Sequence, residues 1–171
     1  MKSKVLRSLG RFAAVGALVI GFAGVGAVSA TPASAASNWF NLVNGGTNMC
    51  MHASSGGEAG AWVTQEDCNF NEPRQRWTWN WDGAGRKVLR NWSGYCLEGY
   101  NGENPGTLIV WNCTGVDSQA WYWGENYDLQ NYGYFSGRSV EVPGKSHNPG
   151  TQLILWPTNG TSFQRWIAHY V

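Results

Sequence analysis

A Gln-x-Trp pattern occurs three times in this chain at nearly constant spacing. The copies are Gln75-Arg76-Trp77, Gln119-Ala120-Trp121 and Gln164-Arg165-Trp166. Their tryptophans are 44 and 45 residues apart, and the segment Leu-Ile-Val-Trp at 108–111 returns 45 residues later as Leu-Ile-Leu-Trp at 153–156. A repeat of this length is a supersecondary unit that buries its apolar face against its neighbours. We expect the three tryptophans to fill the centre of the fold.

The period near 45 residues is typical of propeller blades or of a threefold trefoil. Propellers need about four blades, whereas this chain has room for three copies and lacks the Gly-His…Trp-Asp blade signature. We therefore predict an all-β fold, a β-trefoil of three four-strand lobes with pseudo-threefold symmetry. The predicted lobes lie at about 38–81, 82–124 and 125–171.

The composition excludes long helices. All 11 Trp and all 7 Tyr follow residue 36, in a chain that also has 23 Gly. Glycine and aromatic residues rank low in helix propensity, whereas aromatic residues are enriched in strands. The composition thus favours short strands joined by tight turns.

The N-terminus has the three parts of a secretory signal peptide. Its first 11 residues carry four basic side chains and no acid, residues 12–30 are uncharged, and Ala-Ser-Ala at 33–35 offers a cleavage site. We predict a signal peptide at 1–36 and a single domain at 37–171, secreted and without a membrane span after cleavage. The alternative is an uncleaved membrane anchor, for which 19 apolar residues would just suffice.

Charge and motifs exclude several function classes. Four of the 12 basic residues and none of the 11 acidic residues precede residue 37, so the remaining domain has a net charge of −3. This charge disfavours nucleic acid as a partner. No nucleophile elbow, phosphate loop or His-Glu-x-x-His occurs, and no cofactor or metal is expected. A glycosidase pair of Glu98 and Glu141 is disfavoured because the repeat places them in different lobes.

Four cysteines lie at matched intervals in a chain predicted to be secreted. Cys50 and Cys68 are 18 residues apart, and Cys96 and Cys113 are 17 apart. Four cysteines allow three pairings, and the repeat favours these two because each bond then stays within one lobe. The third copy has Ser139 and Thr158 at the matching positions. A metal site is the alternative, but no Cys-x-x-Cys spacing supports it.

These features together resemble the ricin-B-type lectins, a β-trefoil family that binds sugars. The resemblance covers the predicted domain and rests on the three Gln-x-Trp patterns, Cys96-Leu97-Glu98, Gly137-Arg138-Ser139-Val140-Glu141, Trp111-Asn112-Cys113 and Ile154-Leu155-Trp156-Pro157. The Ala/Gly/Val-rich leader is also similar to those of high-GC Gram-positive bacteria. The resemblance implies a lectin with glycans or polysaccharide as its ligands; the predicted signal peptide and the missing catalytic motifs add that it is secreted and not an enzyme.

The family's sugar site implies one set of residues in each lobe. An acid two residues after the first cysteine position accepts sugar hydroxyls, and an aromatic two residues before the second stacks on the sugar. A further strand residue and the pair before the repeat's Trp complete the site. The resemblance assigns Glu98, Ile109, Trp111, Ser118 and Gln119 in the second lobe. In the third lobe it assigns Glu141, Ile154, Trp156, Phe163 and Gln164.

Departures from the family pattern rank the three lobes. The usual Asp is Glu in two lobes, and the usual Asn is replaced in all three. The corresponding residues of the first lobe are His52, Thr64, Glu66, Arg74 and Gln75, which include no stacking aromatic. We expect the second lobe to bind best, the third less well, and the first not at all in this mode.

Two questions stay open at this stage. The glutamine of each repeat either hydrogen-bonds a turn of its own lobe or reaches a ligand. The protein is either a lectin or a protein-interaction subunit of a secreted complex, with another secreted protein as its partner. A lectin requires Trp111 or Trp156 exposed beside its acid, whereas an interaction module would show a broad aromatic patch crossing lobe boundaries.

Overall fold

The computed structural model describes residues 38–100, 105–133 and 135–171. The predicted signal peptide at 1–36 lies outside the described residues. Within these three ranges, no helix is long and apolar enough to cross a membrane.

Short strands account for the regular structure, four in each predicted lobe. The first lobe has β1 Phe40–Asn44, β2 Cys50–Ala53, β3 Val63–Glu66 and β4 Trp77–Trp81. The second has β5 Lys87–Asn91, β6 Cys96–Tyr100, β7 Gly106–Trp111 and β8 Trp121–Trp123. The third has β9 Leu129–Asn131, β10 Arg138–Glu141, β11 Ile154–Pro157 and β12 Trp166–Tyr170. The 3-10 turns are Ser55–Gly57, Pro73–Gln75, Asp117–Gln119, Pro143–Lys145 and Ser162–Gln164.

The first and fourth strands of the lobes form a closed ring. Strand β1 pairs with β12 and β4, β4 with β5, and β8 with β9. Single bridges complete the ring at Val88–Ala120 and Asp128–Arg165. The remaining strands form the hairpins β2–β3, β6–β7 and β10–β11, one in each lobe. This arrangement confirms the predicted all-β trefoil.

The three repeat tryptophans lie in the core. Trp77, Trp121 and Trp166 are all buried. Each indole N–H donates to the backbone carbonyl of its lobe's second strand: Trp77 to Met51 at 3.1 Å, Trp121 to Leu97 at 2.9 Å and Trp166 to Val140 at 3.0 Å. A buried indole needs such an acceptor, so the same bond recurs in each copy.

Three buried asparagines that sequence analysis missed stand opposite these tryptophans. The strand register pairs Asn44 with Trp166, Asn91 with Trp77 and Asn131 with Trp121. Each side-chain amide donates to a backbone carbonyl of a different lobe, for example from Asn44 to Phe163 of the third lobe at 3.0 Å. The asparagines are 47 and 40 residues apart, whereas the tryptophans are 44 and 45 apart. Because the two spacings differ, the repeat pattern did not reveal the asparagines.

Both predicted disulfides are present. Cys50 is bonded to Cys68 and Cys96 to Cys113, and none of the four cysteines is free. Each bond joins the first strand of a hairpin to the segment after its second strand. The hairpins that bear the predicted site residues are thereby tied within their own lobes.

Candidate functional site

The predicted second-lobe residues converge on one face of the β6–β7 hairpin. Glu98 on β6 is paired with Ile109 on β7, and Trp111 follows two residues further along the same strand. Paired and alternate residues of a hairpin project to the same face. Trp111 is 42 % exposed and Glu98 is half-buried, whereas Ile109 is only 6 % exposed. Ile109 therefore forms an apolar floor between the acid and the ring.

The 3-10 turn at Asp117–Gln119 brings two polar side chains to this acid. Gln119 Nε2 donates to Glu98 Oε2 at 2.7 Å, and Ser118 Oγ donates to Glu98 Oε1 at 3.4 Å. Each carboxylate oxygen can accept a further hydrogen bond because an ionised carboxylate has about four acceptor sites. The acid is thus held in position with acceptor capacity left for a ligand.

Gln119 positions the acid and has no hydrogen-bonding capacity left for a ligand. It is fully buried, and its two N–H donors go to Glu98 and to the Asn112 carbonyl, both at 2.7 Å. Its oxygen accepts the backbone N–H of Thr114 at 2.9 Å. Of the two alternatives left open by the sequence, the glutamine therefore follows the first: it braces a turn of its own lobe, and it supports the site only through its bond to Glu98.

The third lobe repeats the acid and its support with one change. Gln164 Nε2 donates to Glu141 Oε2 at 2.7 Å, and Asn159 Nδ2 donates to the same oxygen at 2.9 Å. Glu141 is paired with Ile154, and both are half-buried. Trp156, which follows on β11, is also half-buried and is less exposed than Trp111.

Phe163 replaces the hydroxyl that Ser118 supplies in the second lobe. A Cβ on Gly46 would lie 2.9 Å from the Phe163 ring, so the ring packs closely on this glycine. His147 makes an edge contact with the same ring, with centroids 6.0 Å apart. Asn159 supplies the second donor to Glu141 instead, a contact that the family pattern does not predict.

In the first lobe the glutamine braces its turn as in the other lobes, but the positions of the acid and of the aromatic ring hold other residues. Gln75 Nε2 donates to the Asp67 carbonyl and its oxygen accepts the Asn69 N–H, both at 2.9 Å. The acid position is occupied by His52, which is buried and lies 3.3 Å from the Thr64 hydroxyl. The predicted first-lobe residues thus offer neither a braced acid nor an aromatic plate at Glu66.

Electrostatics make His52 a poor substitute for the acid. Burial lowers the pKa of its imidazole below the usual range, and the positive charge of Arg74 lowers it further. The carboxylates of Glu66 and Glu72 act in the opposite direction. The ring is therefore kept neutral at neutral pH.

Two surface cavities are lined by other residues. Tyr122 and Tyr132 line adjoining surface cavities of about 340 and 480 Å³, and Trp81 borders the smaller one. Glu98 and Glu141 lie on the strands of their hairpins. In the parts of the chain that the structure describes, no group of three or more His, Cys, Asp or Glu side chains is placed to bind a metal.

A β-trefoil with an acid and a tryptophan on one face of its hairpins is the arrangement expected of a lectin-type carbohydrate-binding domain. The chain belongs to the family described as ricin-type beta-trefoil lectin domain, whose model matches residues 38–166. This membership confirms the family resemblance and supports carbohydrate binding as the general function.

One curated relative and two solved structures illustrate the similarity. Nigrin b from Sambucus nigra is 27 % identical over 122 residues, which are 70 % of this chain and 20 % of Nigrin b. The chain thus spans about a fifth of that relative's length. The designed threefold symmetric protein ThreeFoil has a TM-score of 0.70 at 22 % identity, covering 79 % of this chain and all of ThreeFoil.

The second structure is the Macrolepiota procera ricin B-like lectin in complex with lactose. It has a TM-score of 0.64 at 20 % identity and covers 82 % of this chain and all of the lectin. At these identities the two structures show a shared trefoil fold.

Proposed function

We propose that this protein is a secreted, non-enzymatic lectin whose main sugar site is the Glu98–Trp111 face of the second lobe. The observation that supports this most is the pair of 2.7 Å bonds by which Gln119 and Gln164 each hold an acid beside a tryptophan. Gln75 braces the turn of the first lobe without contacting an acid, so the fold itself does not require a bond from this glutamine to a carboxylate. We attribute the bonds to Glu98 and Glu141 to ligand binding.

The chemistry of the site matches that of a sugar ring. A pyranose has one face of C–H groups and a rim of hydroxyls, so it needs a flat apolar plate and convergent polar groups. Trp111 would supply the plate, and Glu98 would accept hydrogen bonds from two hydroxyls. Because Glu is one methylene longer than Asp, its carboxylate needs the support of Gln119 and Ser118 to stay in one place.

The third lobe would provide a second, weaker site. Glu141, Ile154, Trp156 and Gln164 repeat the arrangement with a less exposed plate. A shallow site of this kind binds free sugar at about millimolar Kd, or about −4 kcal/mol. Two such sites on one domain would retain the protein on a polymer through avidity.

A glycan and polysaccharide screen of the mature domain tests this function. Galactosides belong in it, since the Macrolepiota procera lectin was solved with lactose. We expect a ligand with millimolar affinity per site and loss of most binding in Trp111→Ala. If no glycan binds at millimolar site concentration, or if Trp111→Ala binds like the wild type, the proposed second-lobe site is wrong.

A second candidate function rests on a different surface. The exposed rings of Trp81, Tyr122 and Tyr132 come from the first, second and third predicted lobes and border adjoining cavities. An aromatic patch across lobe boundaries is typical of a protein-binding surface. If the screen finds no glycan, we propose a protein-interaction subunit. A purified complex with a secreted protein that dissociates with Tyr132→Ala, while Trp111→Ala leaves it intact, would support this function.

A further inference from the structure

Two exposed aromatic side chains outside the family pattern flank the second-lobe site. Trp62 precedes β3 in the first lobe and is 58 % exposed, and Tyr100 ends β6 and is 50 % exposed. The repeat pattern assigns neither of them a role. Their positions relative to Glu98 and Trp111 follow from the strand register.

Trp62 reaches the site from the neighbouring lobe. Residues 61–62 run antiparallel to 109–110, with Trp62 bridged to Ile109 and with a hydrogen bond from the Val110 N–H to the Ala61 carbonyl at 2.9 Å. Residues directly opposite in an antiparallel pair project to the same face. Trp62 therefore stands beside Ile109 on one side, as Glu98 does on the other.

Trp111 contacts the same segment of the first lobe. The Gly60 N–H donates to the Val110 carbonyl at 2.8 Å and the Val110 N–H donates to the Ala61 carbonyl, so Gly60 and Ala61 both lie opposite Val110, as in a β-bulge. A Cβ on Gly60 would lie 3.5 Å from Cζ3 of the indole, and its φ is +88°. The ring thus lies against the glycine, so the site is built from two lobes.

Tyr100 extends the same face in the opposite direction. It follows Glu98 by two residues on β6 and is paired with Thr107 on β7. Side chains alternate along a strand, so Tyr100 and Glu98 project to the same side. Three exposed aromatic side chains, Trp62, Tyr100 and Trp111, therefore surround the braced acid.

The other two lobes lack this arrangement. At the position of Trp62, the third-lobe site has Thr107 paired with Ile154, and the first-lobe site has Gln152 bridged to Thr64. The residues two positions after the acid site, corresponding to Tyr100, are Pro143 and Ser54. Pseudo-symmetric copies of one hairpin thus differ in the aromatic groups around them.

The backbones of the three aromatic residues are further apart than the width of one sugar ring. Trp62 and Trp111 are displaced by two residues along the strands and by one strand, which puts their backbones about 8 Å apart. Tyr100 and Trp111 are displaced by four residues and one strand, or roughly 14 Å. A pyranose stacks on one ring at a time, so the others are available to neighbouring sugars of a chain.

We infer that the second-lobe site takes an oligosaccharide segment of a glycan chain. One sugar lies on Trp111 beside Glu98, and adjacent sugars contact Trp62 and Tyr100. This inference rests on the proposed lectin function and adds the ligand class and two residues. It makes Trp62 a determinant of preference for chains over single sugars.

The test measures binding as a function of ligand length. Galacto-, gluco-, xylo- and manno-oligosaccharides of one to four units are titrated by calorimetry against wild type, Trp62→Ala, Trp62→Phe and Trp111→Ala. We expect Trp62→Ala to weaken tetrasaccharide binding about tenfold, equivalent to about 1.4 kcal/mol, and to leave the monosaccharide within twofold. Trp62→Phe should retain most of the affinity, whereas Trp111→Ala should weaken ligands of every length.

Trp81→Ala is the matched control, because Trp81 is similarly exposed and lies at the end of β4. It should bind every ligand like the wild type. If the wild type binds these sugars and Trp62→Ala keeps tetrasaccharide affinity, or if monosaccharide and tetrasaccharide bind equally, the extended site is wrong and the lectin function stands. If the wild type binds no ligand of the series and none in the wider screen, the proposed function fails and the extended site with it.

Discussion

The hydroxyls of Ser139 and Thr158 hydrogen-bond to each other at 2.8 Å, at the two positions where the other lobes have a disulfide. Ser139 Oγ also lies 3.0 Å from the Asp128 carboxylate. A hydrogen bond contributes about 1 kcal/mol, whereas closing a loop of 17 or 18 residues with a disulfide contributes about 3 kcal/mol. The third lobe therefore depends more on packing, through buried residues such as Leu153 and Leu155.

We predict that the third lobe opens first in native-state hydrogen exchange. Its amides in β10 and β11 should exchange before those of β2–β3 and β6–β7, because its hairpin is not cross-linked. Residue-resolved exchange at 25 °C checks this. Equal protection in all three hairpins, or earliest opening of the first lobe, would contradict it.

A double variant, Ser139→Cys with Thr158→Cys, serves as the counterpart. A third disulfide there should raise the free energy of unfolding by up to about 3 kcal/mol and slow exchange in β10 and β11. The gain will be reduced by the lost contact between Ser139 and Asp128. The same variant under reducing conditions provides the control.

Glycan binding should depend on the lobes in a fixed order. Trp111→Ala should weaken binding to a polysaccharide most, Trp156→Ala less, and Glu66→Ala almost not at all. The three residues occupy equivalent positions, but Trp111 is an exposed ring, Trp156 is a half-buried ring, and Glu66 has no ring. Retardation of each folded variant in a gel containing the ligand polysaccharide measures this. A larger loss with Trp156→Ala than with Trp111→Ala would place the main site in the third lobe.

Gln119→Leu should reduce both stability and binding. Removing the amide deprives the Thr114 N–H and the Glu98 carboxylate of their bonds to Gln119, at a cost of about 1–3 kcal/mol in unfolding free energy. Sugar affinity should fall about tenfold because Glu98 is no longer held, and urea titration with calorimetry measures both effects.

Gln75→Leu is the matched control for this change. Gln75 braces the same turn in the first lobe and contacts the Asp67 carbonyl and the Asn69 N–H. It should lower stability by a similar amount and leave sugar affinity unchanged. Equal losses of affinity in both variants would mean that Gln119 acts only through folding.

Trp121→Ala should destabilise the fold far more than Trp111→Ala. Trp121 is buried and donates to the Leu97 carbonyl, so its removal leaves a cavity and an unpaired acceptor. We expect a loss of about 3–5 kcal/mol for Trp121→Ala and less than about 1 kcal/mol for Trp111→Ala. Urea unfolding followed by circular dichroism separates the two, and comparable midpoints would refute the core role.

His52 should make stability depend on pH. Its folded-state pKa is lowered by burial, so the unfolded state takes up a proton first as the pH falls below about 6.5. Stability should therefore decline between pH 7.5 and 5.5, by at most about 1.4 kcal/mol per pH unit from this residue. His52→Gln should have a shallower decline in urea titrations at these pH values, and an unchanged slope would contradict the prediction.

The amino-acid sequence by itself determined the threefold trefoil, the two disulfides and the three core tryptophans. These features are repeated about every 45 residues, because equivalent positions in the three lobes make the same contacts and so require the same residue types. The family pattern also predicted Glu98 and Trp111 as site residues, and both lie on one hairpin, where local strand pairing places them on the same face. Asn44, Asn91 and Asn131 escaped detection because insertions in the loops before them break the period.

Only the tertiary structure showed how the residues around each acid are buried and which neighbouring lobe they contact. The burial of Gln119 and Ile109 depends on how the 3-10 turn packs against β6 and β7, which a linear pattern does not contain. Trp62 meets Ile109 across a lobe boundary, through a register between segments 47 residues apart. Such contacts depend on how separate lobes pack against each other, whereas a sequence repeat indicates only the contacts that recur within each lobe.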